Sequence, residues 1–543
     1  MKKLYLPLAI LLLTVIFILA GCSSTATTTP ATTTQPTTTT QTSAAATTAT
    51  PVKGGTLRLS MGADATSLGY PPTMQGTPDQ LSARPAIESL FRQDNTGNLV
   101  PWLVDTYSQD ATAKTYTLKL KKGIKFQDGS DFNATVAAWN IMNFKSTPAG
   151  SSTYGKLTSV DVIDDSTIRM NLSTWDNTML DNMASAPPGY IISKAAYDAH
   201  GGANGGADWC RNNPVGTGPF TFVSWTRDVS KVFTKNTNYW IPGEPYLDGV
   251  VFNVIADPTV QAASVLKGDI DVMCSASITN ATSLSTQGYV VYKCPAGGGV
   301  RAIVPDSGHA DSIYSNLKVR QAVSYAINRQ PVIDSVWKGL VPATNQFAIP
   351  GTWSYNTNMT GYPYNPDKAK QLLSDAGYPS GFKTVIYVLN DQNQINTYTA
   401  IQAQLQAVGI NADLQVLDSG KYVDMQQNIG WSNALYCLGI LAPADPLGIM
   451  AAFLSNVTGP YKTTLLHNAD IDNAINNAAA APDFATKQSL TWAAQTALTE
   501  TYDIWTPVLV NVDLSVKTKK VHGDGIDTMP FGLWSPESAY LDK

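Results

Sequence analysis

The side chains best suited to acid–base or metal chemistry are few and scattered in this sequence. Its 543 residues include four histidines, and none has a partner at helical spacing. Acid pairs such as Asp164–Asp165, or Asp269 with Asp271, have the residue types of glycosidase carboxylates, but solvated loop charge explains them more simply. We therefore expect no catalytic residue, no metal and no cofactor. The histidines are His200, His309, His467 and His522.

Two further classes of function are disfavoured. No zincin, serine-hydrolase, phosphate-loop or dinucleotide motif occurs, and the turn at Gly216-Thr217-Gly218 precedes Pro219, which lacks the amide that a phosphate cradle would use. Charged residues make up only 14% of the chain, with a net charge of -5. A nucleic-acid-binding surface needs clustered Lys and Arg, so we expect no nucleic-acid partner.

Aromatic residues are the most abundant side chains in this sequence that suit ligand binding. The chain has 12 Trp and 24 Tyr, which combine a large apolar face with a hydrogen-bonding edge. Such side chains suit a pocket for a polar organic ligand. Most of them are expected to pack in the core, with only a few facing a ligand.

The N-terminus has the pattern of a secretory signal. Two lysines precede an uncharged apolar run over residues 4–20, which leads into LAGC with the cysteine at position 22. This resembles a bacterial lipoprotein signal, in which the cysteine is lipidated. We therefore expect a signal peptide at 1–21, a lipid anchor at Cys22 and residence on the extracytoplasmic face of the cell membrane. An uncleaved anchor helix is the alternative.

A Thr-rich linker follows at 22–52, with 15 threonines between Ser23 and Val52 and no charge. This composition has too little apolar surface to offset the entropy of ordering, which predicts a disordered tether. Four cysteines remain beyond it. Cys274 and Cys294 each end a strand-like run, so we predict a disulfide between them, with four free thiols as the alternative.

The globular part alternates between helical and extended patterns, which predicts an α/β fold. Residues 56–59 alternate as a strand, 116–129 as a hairpin, and 134–141 place apolar residues on one helical face. Asp257-Pro258 begins a helix that ends at Gly268. A strand at 384–389, a helix at 395–408 and a strand at 411–417 form a βαβ unit.

Seven segments occur in the order found in extracellular solute-binding proteins of peptide/nickel-type ABC importers, and the resemblance runs from about residue 53 to 525. It implies two α/β lobes joined by a hinge, plus an inserted domain. The segments are 100–103 (VPWL), 116–129 (YTLKLKKGIKFQDG), 213–220 (NPVGTGPF), 236–240 (NTNYW), 257–271 (DPTVQAASVLKGDID), 319–329 (VRQAVSYAINR) and 364–378 (YNPDKAKQLLSDAGY). Carried onto this chain, lobe I covers 53–87, 214–297 and 508–543, the inserted domain 88–213, and lobe II 298–507.

The resemblance implies capture of a solute, since the lobes of this family close on a ligand and dock on a membrane permease driven by an ATPase. We therefore expect the permease, its ATPase, a small polar ligand and the membrane as partners, and a monomer. A surface hydrolase of extracellular polymers, or a sensor or adhesion lipoprotein of the same fold, is the alternative.

One departure from the family pattern concerns the ligand. Peptide-binding members carry an acidic residue for the ligand ammonium in a WxADYxxP segment, and this chain aligns Gly439 with the Trp and Ala442 with the Asp. Because a buried ammonium without a carboxylate is costly, we expect an uncharged polar solute such as a sugar or small oligosaccharide, with a peptide as the alternative. The missing Trp would widen the pocket.

The residues expected to line the ligand pocket lie in loops at strand ends and near the crossovers between lobes. Structural packing is the competing interpretation for each. They are Ser67, Tyr70, Arg301, Asn345, Gln346, Trp353, Tyr436, Asp445 and Trp534.

Overall fold

The computed structural model describes residues 51–185, 187–294, 299–440, 444–525, 534 and 536–542. The predicted signal peptide, Cys22, almost all of the Thr-rich linker and Ala442 lie outside these residues. In the part that is described, no helix combines the length and apolar character needed to cross a bilayer.

A seven-stranded sheet collects strands from distant parts of the chain. Its middle strand, Thr56–Met61, runs parallel to both of its neighbours, and the remaining pairs are antiparallel. Buried Leu57 and Leu59 explain the alternation seen in the sequence. In spatial order the strands are Phe220–Thr226, Ser230–Lys235, Gly249–Val254, Thr56–Met61, Val272–Met273, Asp513–Lys517 and Val290–Cys294.

A five-stranded sheet is formed from residues 300–510. The strand Phe382–Leu389 is parallel to Ile410–Leu417, and the helix Gln392–Ala407 connects them, which confirms the predicted βαβ unit. Val300–Pro305 runs antiparallel to both of its neighbours. The spatial order is Ile410–Leu417, Phe382–Leu389, Leu435–Ile440, Val300–Pro305 and Thr506–Val510.

A four-stranded antiparallel sheet occupies residues 104–172, in the order Val104–Asp110, Thr115–Leu120, Thr167–Leu172 and Leu157–Asp164. The predicted hairpin at 116–129 is therefore only half right. Thr115–Leu120 is a strand, but it pairs with Val104–Asp110 and Thr167–Leu172, while the chain after it forms only an isolated bridge between Lys125 and Asp131.

Two-stranded ladders and helices complete the described fold. The ladders pair Glu88–Ser89 with Tyr190–Ile191, Phe91–Gln93 with Leu99–Pro101, and Val521–His522 with Tyr540–Leu541. The α-helices are Gly76–Ala83, Ala134–Lys145, Pro148–Thr153, Met179–Ser185, Lys194–Ala199, Gly206–Asn212, Pro258–Lys267, Ile278–Thr286, Leu317–Ala326, Arg329–Val336, Pro366–Asp375, Gln392–Ala407, Ser419–Asp424, Leu447–Met450, Pro460–Thr464, Ala469–Ala479 and Phe484–Thr496.

The predicted capping signals operate at the helix Pro258–Lys267. The Asp257 carboxylate accepts hydrogen bonds from the amides of Thr259 and Val260, and these bonds hold the pKa of Asp257 below its usual value. At the other end Gly268 adopts a φ of 82°, which a residue with a Cβ reaches only with strain. Local sequence chemistry therefore sets both ends of this helix.

The buried carboxylate of Glu88 explains three of the sequence motifs. It accepts hydrogen bonds from Trp102 Nε1 at 2.7 Å, Thr217 Oγ1 at 2.7 Å, Tyr239 OH at 2.8 Å and Trp240 Nε1 at 2.8 Å. Burial raises the pKa of Glu88 above its usual value. The motifs at 100–103, 213–220 and 236–240 thus meet at one structural centre, although they are far apart in the chain.

The motif at 319–329 is also structural. The Arg320 guanidinium is buried and donates to the backbone carbonyls of Tyr314, Ser315 and Tyr502 at 2.7–3.0 Å. Arg329 donates from Nε to the carbonyl of Pro507 at 2.7 Å. These two arginines tie the helices after residue 316 to the segment that leads into the strand Thr506–Val510.

Candidate functional site

Arg301 lies at the start of the strand Val300–Pro305, directly opposite Gly439 on the neighbouring strand. A Cβ built on Gly439 would come within 2.5 Å of Arg301 Nη1. The guanidinium therefore occupies the space beside residue 439, where the resembling family carries a Trp. The Arg301 side chain fills part of the space that the missing Trp would leave, and the wider pocket stays a prediction.

The guanidinium of Arg301 has no carboxylate partner among the described residues. The side chain is half-buried, and its Nε is buried without a hydrogen-bond partner. The groups that feel its charge include Tyr398, Tyr422 and Cys437, whose pKa values are raised by burial and which stay uncharged at neutral pH. Arg301 is thus a half-buried cation whose charge no described carboxylate neutralises.

Three other expected pocket residues of the five-stranded sheet region are held by internal contacts. Tyr436 is fully buried, stacks on Trp431 and donates its hydroxyl to the Tyr422 carbonyl at 2.7 Å. Asn345 donates to the Met359 carbonyl at 2.8 Å. The amide of Gln346, also fully buried, both donates to and accepts from the backbone of Asn356.

The three expected pocket residues near the seven-stranded sheet also have packing partners. Ser67 donates its hydroxyl to the Tyr70 carbonyl at 3.3 Å, which shapes the loop after the first strand. Tyr70 donates to Asn143 Oδ1 at 3.2 Å. Trp534 is fully buried and donates Nε1 to the Leu81 carbonyl at 3.1 Å. No hydrogen bond or ion pair joins this group to Arg301 among the described residues.

Trp353 and Asp445 are brought together by a residue that the sequence did not single out, Lys487. The Lys487 ammonium lies 2.6 Å from Asp445 and 2.8 Å from Asp181, and 5.4 Å from the centre of the Trp353 ring. Lys487 is only 6% exposed. We call the charged groups of Lys487, Asp445 and Asp181 the Lys487 cluster. The cluster links the segment around Asp181 to the distant segment around Lys487.

The electrostatics of the Lys487 cluster follow from its burial. Burial lowers the pKa of Lys487, but the carboxylates of Asp181 and Asp445 more than offset this and raise it above its usual value. Burial, assisted by the neighbouring Asp445 carboxylate, raises the pKa of Asp181 to about 6. The cluster therefore holds a charged lysine between two acids, one of which titrates close to neutral pH.

Hydrogen bonds around the Lys487 cluster join residues 96–181 to residues 353–487. Asn177 donates Nδ2 to the carbonyls of Ala478 at 2.7 Å and Ala481 at 3.1 Å, and Trp175 donates Nε1 to the same Ala481 carbonyl at 3.0 Å. The Trp353 amide donates to the Thr96 carbonyl at 3.0 Å. These hydrogen bonds and the Lys487 cluster together form the interface that we call the 96–181/353–487 contact.

The predicted disulfide between Cys274 and Cys294 is wrong, because Cys274 is a free, buried thiol. Cys274 directly follows the strand Val272–Met273, whereas Cys294 ends Val290–Cys294, and the strand Asp513–Lys517 lies between them. Two strand spacings amount to roughly 10 Å, beyond the reach of a disulfide. Cys210 and Cys437 are also free and buried.

The described residues contain no group of three or more His, Cys, Asp or Glu side chains arranged to hold a metal ion. Nothing in the sequence pattern indicates a role for Asp181 or Lys487. Each looks like an ordinary helix residue, and only the packing of two distant segments makes them partners. Glu88 was missed for the same reason.

The chain belongs to the bacterial extracellular solute-binding proteins, family 5, whose model matches residues 98–460. It is 28% identical over 496 residues to the glutathione-binding protein GsiB of Escherichia coli K12, covering 89% of this chain and 94% of that protein.

Solved structures confirm the expected α/β, two-lobed periplasmic-binding-protein fold. Helicobacter pylori DppA in complex with the peptide STSA matches with a TM-score of 0.71 and 24% identity, over 91% of this chain and 99% of DppA. The A. tumefaciens R10 protein AgaA, solved with agropinic acid, matches with a TM-score of 0.69 and 22% identity, over 90% of this chain and 99% of AgaA.

Proposed function

We propose that this protein captures a peptide-like solute with a free carboxylate between its two lobes and delivers it to the permease and ATPase of an ABC importer. The observation that carries the proposal is Arg301, whose half-buried guanidinium has no acidic partner among the described residues. A charge taken partly out of water without a partner lowers stability. A bound carboxylate offsets that penalty through charge-assisted hydrogen bonds, in which Arg binds both oxygens.

The names of related proteins favour a peptide-like solute over the oligosaccharide that the sequence suggested. GsiB is named for glutathione, and DppA was solved with a peptide. AgaA was solved with agropinic acid, which is an acid. Each of these ligands suits a site whose fixed charge is positive. The oligosaccharide has no comparable support.

This site would differ from the sites of other peptide-binding members in how it accommodates the ammonium of the ligand. Ala442 lies outside the described residues, so the absence of an acidic anchor there stays a prediction from the sequence. Gly439 and the neighbouring Arg301 guanidinium favour a ligand carboxylate at this end of the site, where other peptide-binding members favour a ligand ammonium. We therefore expect the carboxylate end of the solute to contribute more to affinity than its amino end.

The test is isothermal titration of the chain with a panel of tripeptides, glutathione and maltotriose. We expect free-acid peptides to bind, their C-terminal amides to bind roughly 10- to 100-fold more weakly, and maltotriose not to bind. Arg301→Met should abolish the difference between acid and amide, and Arg301→Lys should retain part of it. Arg169→Met removes a surface arginine of the four-stranded sheet and serves as the control.

Equal affinity for acids and amides would contradict the proposed role of Arg301. Binding of maltotriose without peptide binding would contradict the peptide-like class and restore the oligosaccharide interpretation.

We further propose the domain arrangement and the anchor. Lobe I comprises 53–87, 214–297 and 508–543, the inserted domain 88–213, and lobe II 298–507, with a hinge at the two crossovers. The mature chain begins at lipidated Cys22 and is held as a monomer at the extracytoplasmic face of the membrane by the linker 22–52. Replacement of Cys22 by Ala should release the protein from the membrane fraction, and mass spectrometry of the wild-type N-terminus should show the lipid.

A further inference from the structure

A cavity of about 310 Å³ lies within the 96–181/353–487 contact, apart from Arg301. One wall comes from the four-stranded sheet and the helix Met179–Ser185, and the other from Trp353 and the start of the helix Phe484–Thr496. Its volume suits a ligand of several to a dozen heavy atoms. A molecule that fills it touches both walls.

Aromatic rings form much of the lining. Tyr116 and Trp353 lie deep in the cavity and are 1% and 7% exposed. Tyr107 and Phe484 lie at its rim and are 40% and 50% exposed, so their faces are open to a ligand. Tyr107 and Tyr116 belong to one wall, and Trp353 and Phe484 to the other. Tyr116 stacks on Trp175, so the rings open to a ligand are those of Tyr107 on one wall and Phe484 on the other.

The charges of the lining are predominantly negative. Asp181 and Asp483 line the cavity, and the lining ammonium of Lys487 is already paired with Asp181 and with Asp445 behind it. The carboxylate of Asp483 accepts hydrogen bonds from the amide and hydroxyl of Thr486, which hold the pKa of Asp483 below its usual value. An anionic ligand would meet these carboxylates, whereas a cation gains from them.

We propose that this cavity is a second binding site, that it takes a small organic cation of the alkylammonium class, and that the cation stabilises the 96–181/353–487 contact. Ring faces attract cations through their quadrupoles, most strongly in a partly desolvated site. A ligand that touches both walls binds only while they are together, and by linkage it favours that arrangement. The site thereby gives an external amine control over the contact between the proposed inserted domain and lobe II.

The test uses choline and its uncharged isostere 3,3-dimethylbutan-1-ol, titrated into the full chain by calorimetry. We expect saturable binding of choline and none of the alcohol, because the two share a shape and differ in charge. Asp483→Asn retains a helix-capping oxygen while removing the charge, and should weaken choline binding roughly 3- to 10-fold. Phe484→Ala removes a rim ring and should have an effect of similar size.

Two further measurements, with the outcome of the choline titration, decide the proposal. Arg301→Met should leave choline binding unchanged, which keeps this test separate from that of the solute. Equal binding of choline and the alcohol, or no saturable choline binding, would overturn the cation class. Competition between choline and the tripeptide would overturn the assignment of a second site.

Discussion

Arg301 and Lys487 are two cations within residues 298–507 whose charged neighbours differ. Lys487 is buried, and Arg301 is half-buried. Lys487 has two carboxylates within 3 Å, whereas Arg301 has no acidic partner among the described residues. Lys487 is therefore a cation paired within the fold, and Arg301 is the cation that we propose binds the carboxylate of the solute. Burial alone does not distinguish these roles, and the identity of the partners does.

The largest effect is expected from Lys487→Met. This change leaves the buried carboxylates of Asp181 and Asp445 without their cation, and removing one partner of a buried ion pair costs about 3–5 kcal/mol. Urea unfolding should show the loss, and small-angle scattering should show the 96–181/353–487 contact opening. Lys267→Met is the matched control, because Lys267 pairs with Asp269 on the surface and should cost under about 1 kcal/mol. Equal losses in the two variants would contradict the structural role of the cluster.

The second prediction concerns pH and Asp181. Its pKa is raised to about 6 from 3.8 in the contact. Formation of the 96–181/353–487 contact therefore favours the protonated form of the Asp181 carboxyl. The contribution of Asp181 to stability is fully present below about pH 4 and is lost as pH rises through 6, by no more than about 3 kcal/mol.

This pH dependence is measured as the difference between wild type and Asp181→Asn, which removes the titrating group but keeps its shape. Buried acids outside the Lys487 cluster titrate alike in both proteins and cancel. A wild-type minus variant difference that is flat between pH 4 and 7 would contradict the prediction. The groups facing Asp181 are Lys487, Asp445, Tyr107 and Tyr116.

Arg301→Met should behave in the opposite way to Lys487→Met. Arg301→Met removes a half-buried cation without an acidic partner, and with it the free-energy cost of desolvating that charge. The free energy of unfolding should therefore fall by no more than about 1 kcal/mol, and it can rise. Binding of free-acid peptides should nevertheless fall. A loss of stability as large as that of Lys487→Met would show that Arg301 has a structural partner after all. Chemical denaturation without ligand is the measurement.

The smallest effect is expected from Gly439→Ala. The new Cβ would lie within 2.5 Å of Arg301 Nη1, but the flexible end of the arginine moves aside at small cost. We expect nearly unchanged stability and a few-fold weaker peptide binding, since the guanidinium shifts from its position. Gly448→Ala, where a Cβ meets nothing within 4 Å, is the control for adding a methyl group.

Much of the fold was predictable because its signals are local. The caps of the helix Pro258–Lys267 and the βαβ unit at 382–417 follow from residues close together in the chain. The hairpin at 116–129 was only half right because strand pairing is decided by partners far away, here Thr167–Leu172. The disulfide failed for the same reason, since an intervening strand separates the two cysteines.

The site was less predictable than the fold. The position of Arg301 near a crossover predicts a site residue, and the structure adds that its guanidinium lacks an acidic partner among the described residues. Similar positions predict Gln346, Tyr436 and Trp534 as site residues, but these three are fully buried in packing contacts. A residue's type and position in a loop do not reveal whether neighbouring segments satisfy its polar groups.

The sequence by itself determined the family, the α/β character and the ends of several helices, because these depend on composition, motif order and neighbouring side chains. Only the tertiary structure decided which charges are paired. Asp181 and Lys487 are 306 residues apart, and Arg301 meets Gly439 across two strands. Electrostatic energy depends on distance in space and on burial, and neither quantity can be read from spacing along the chain.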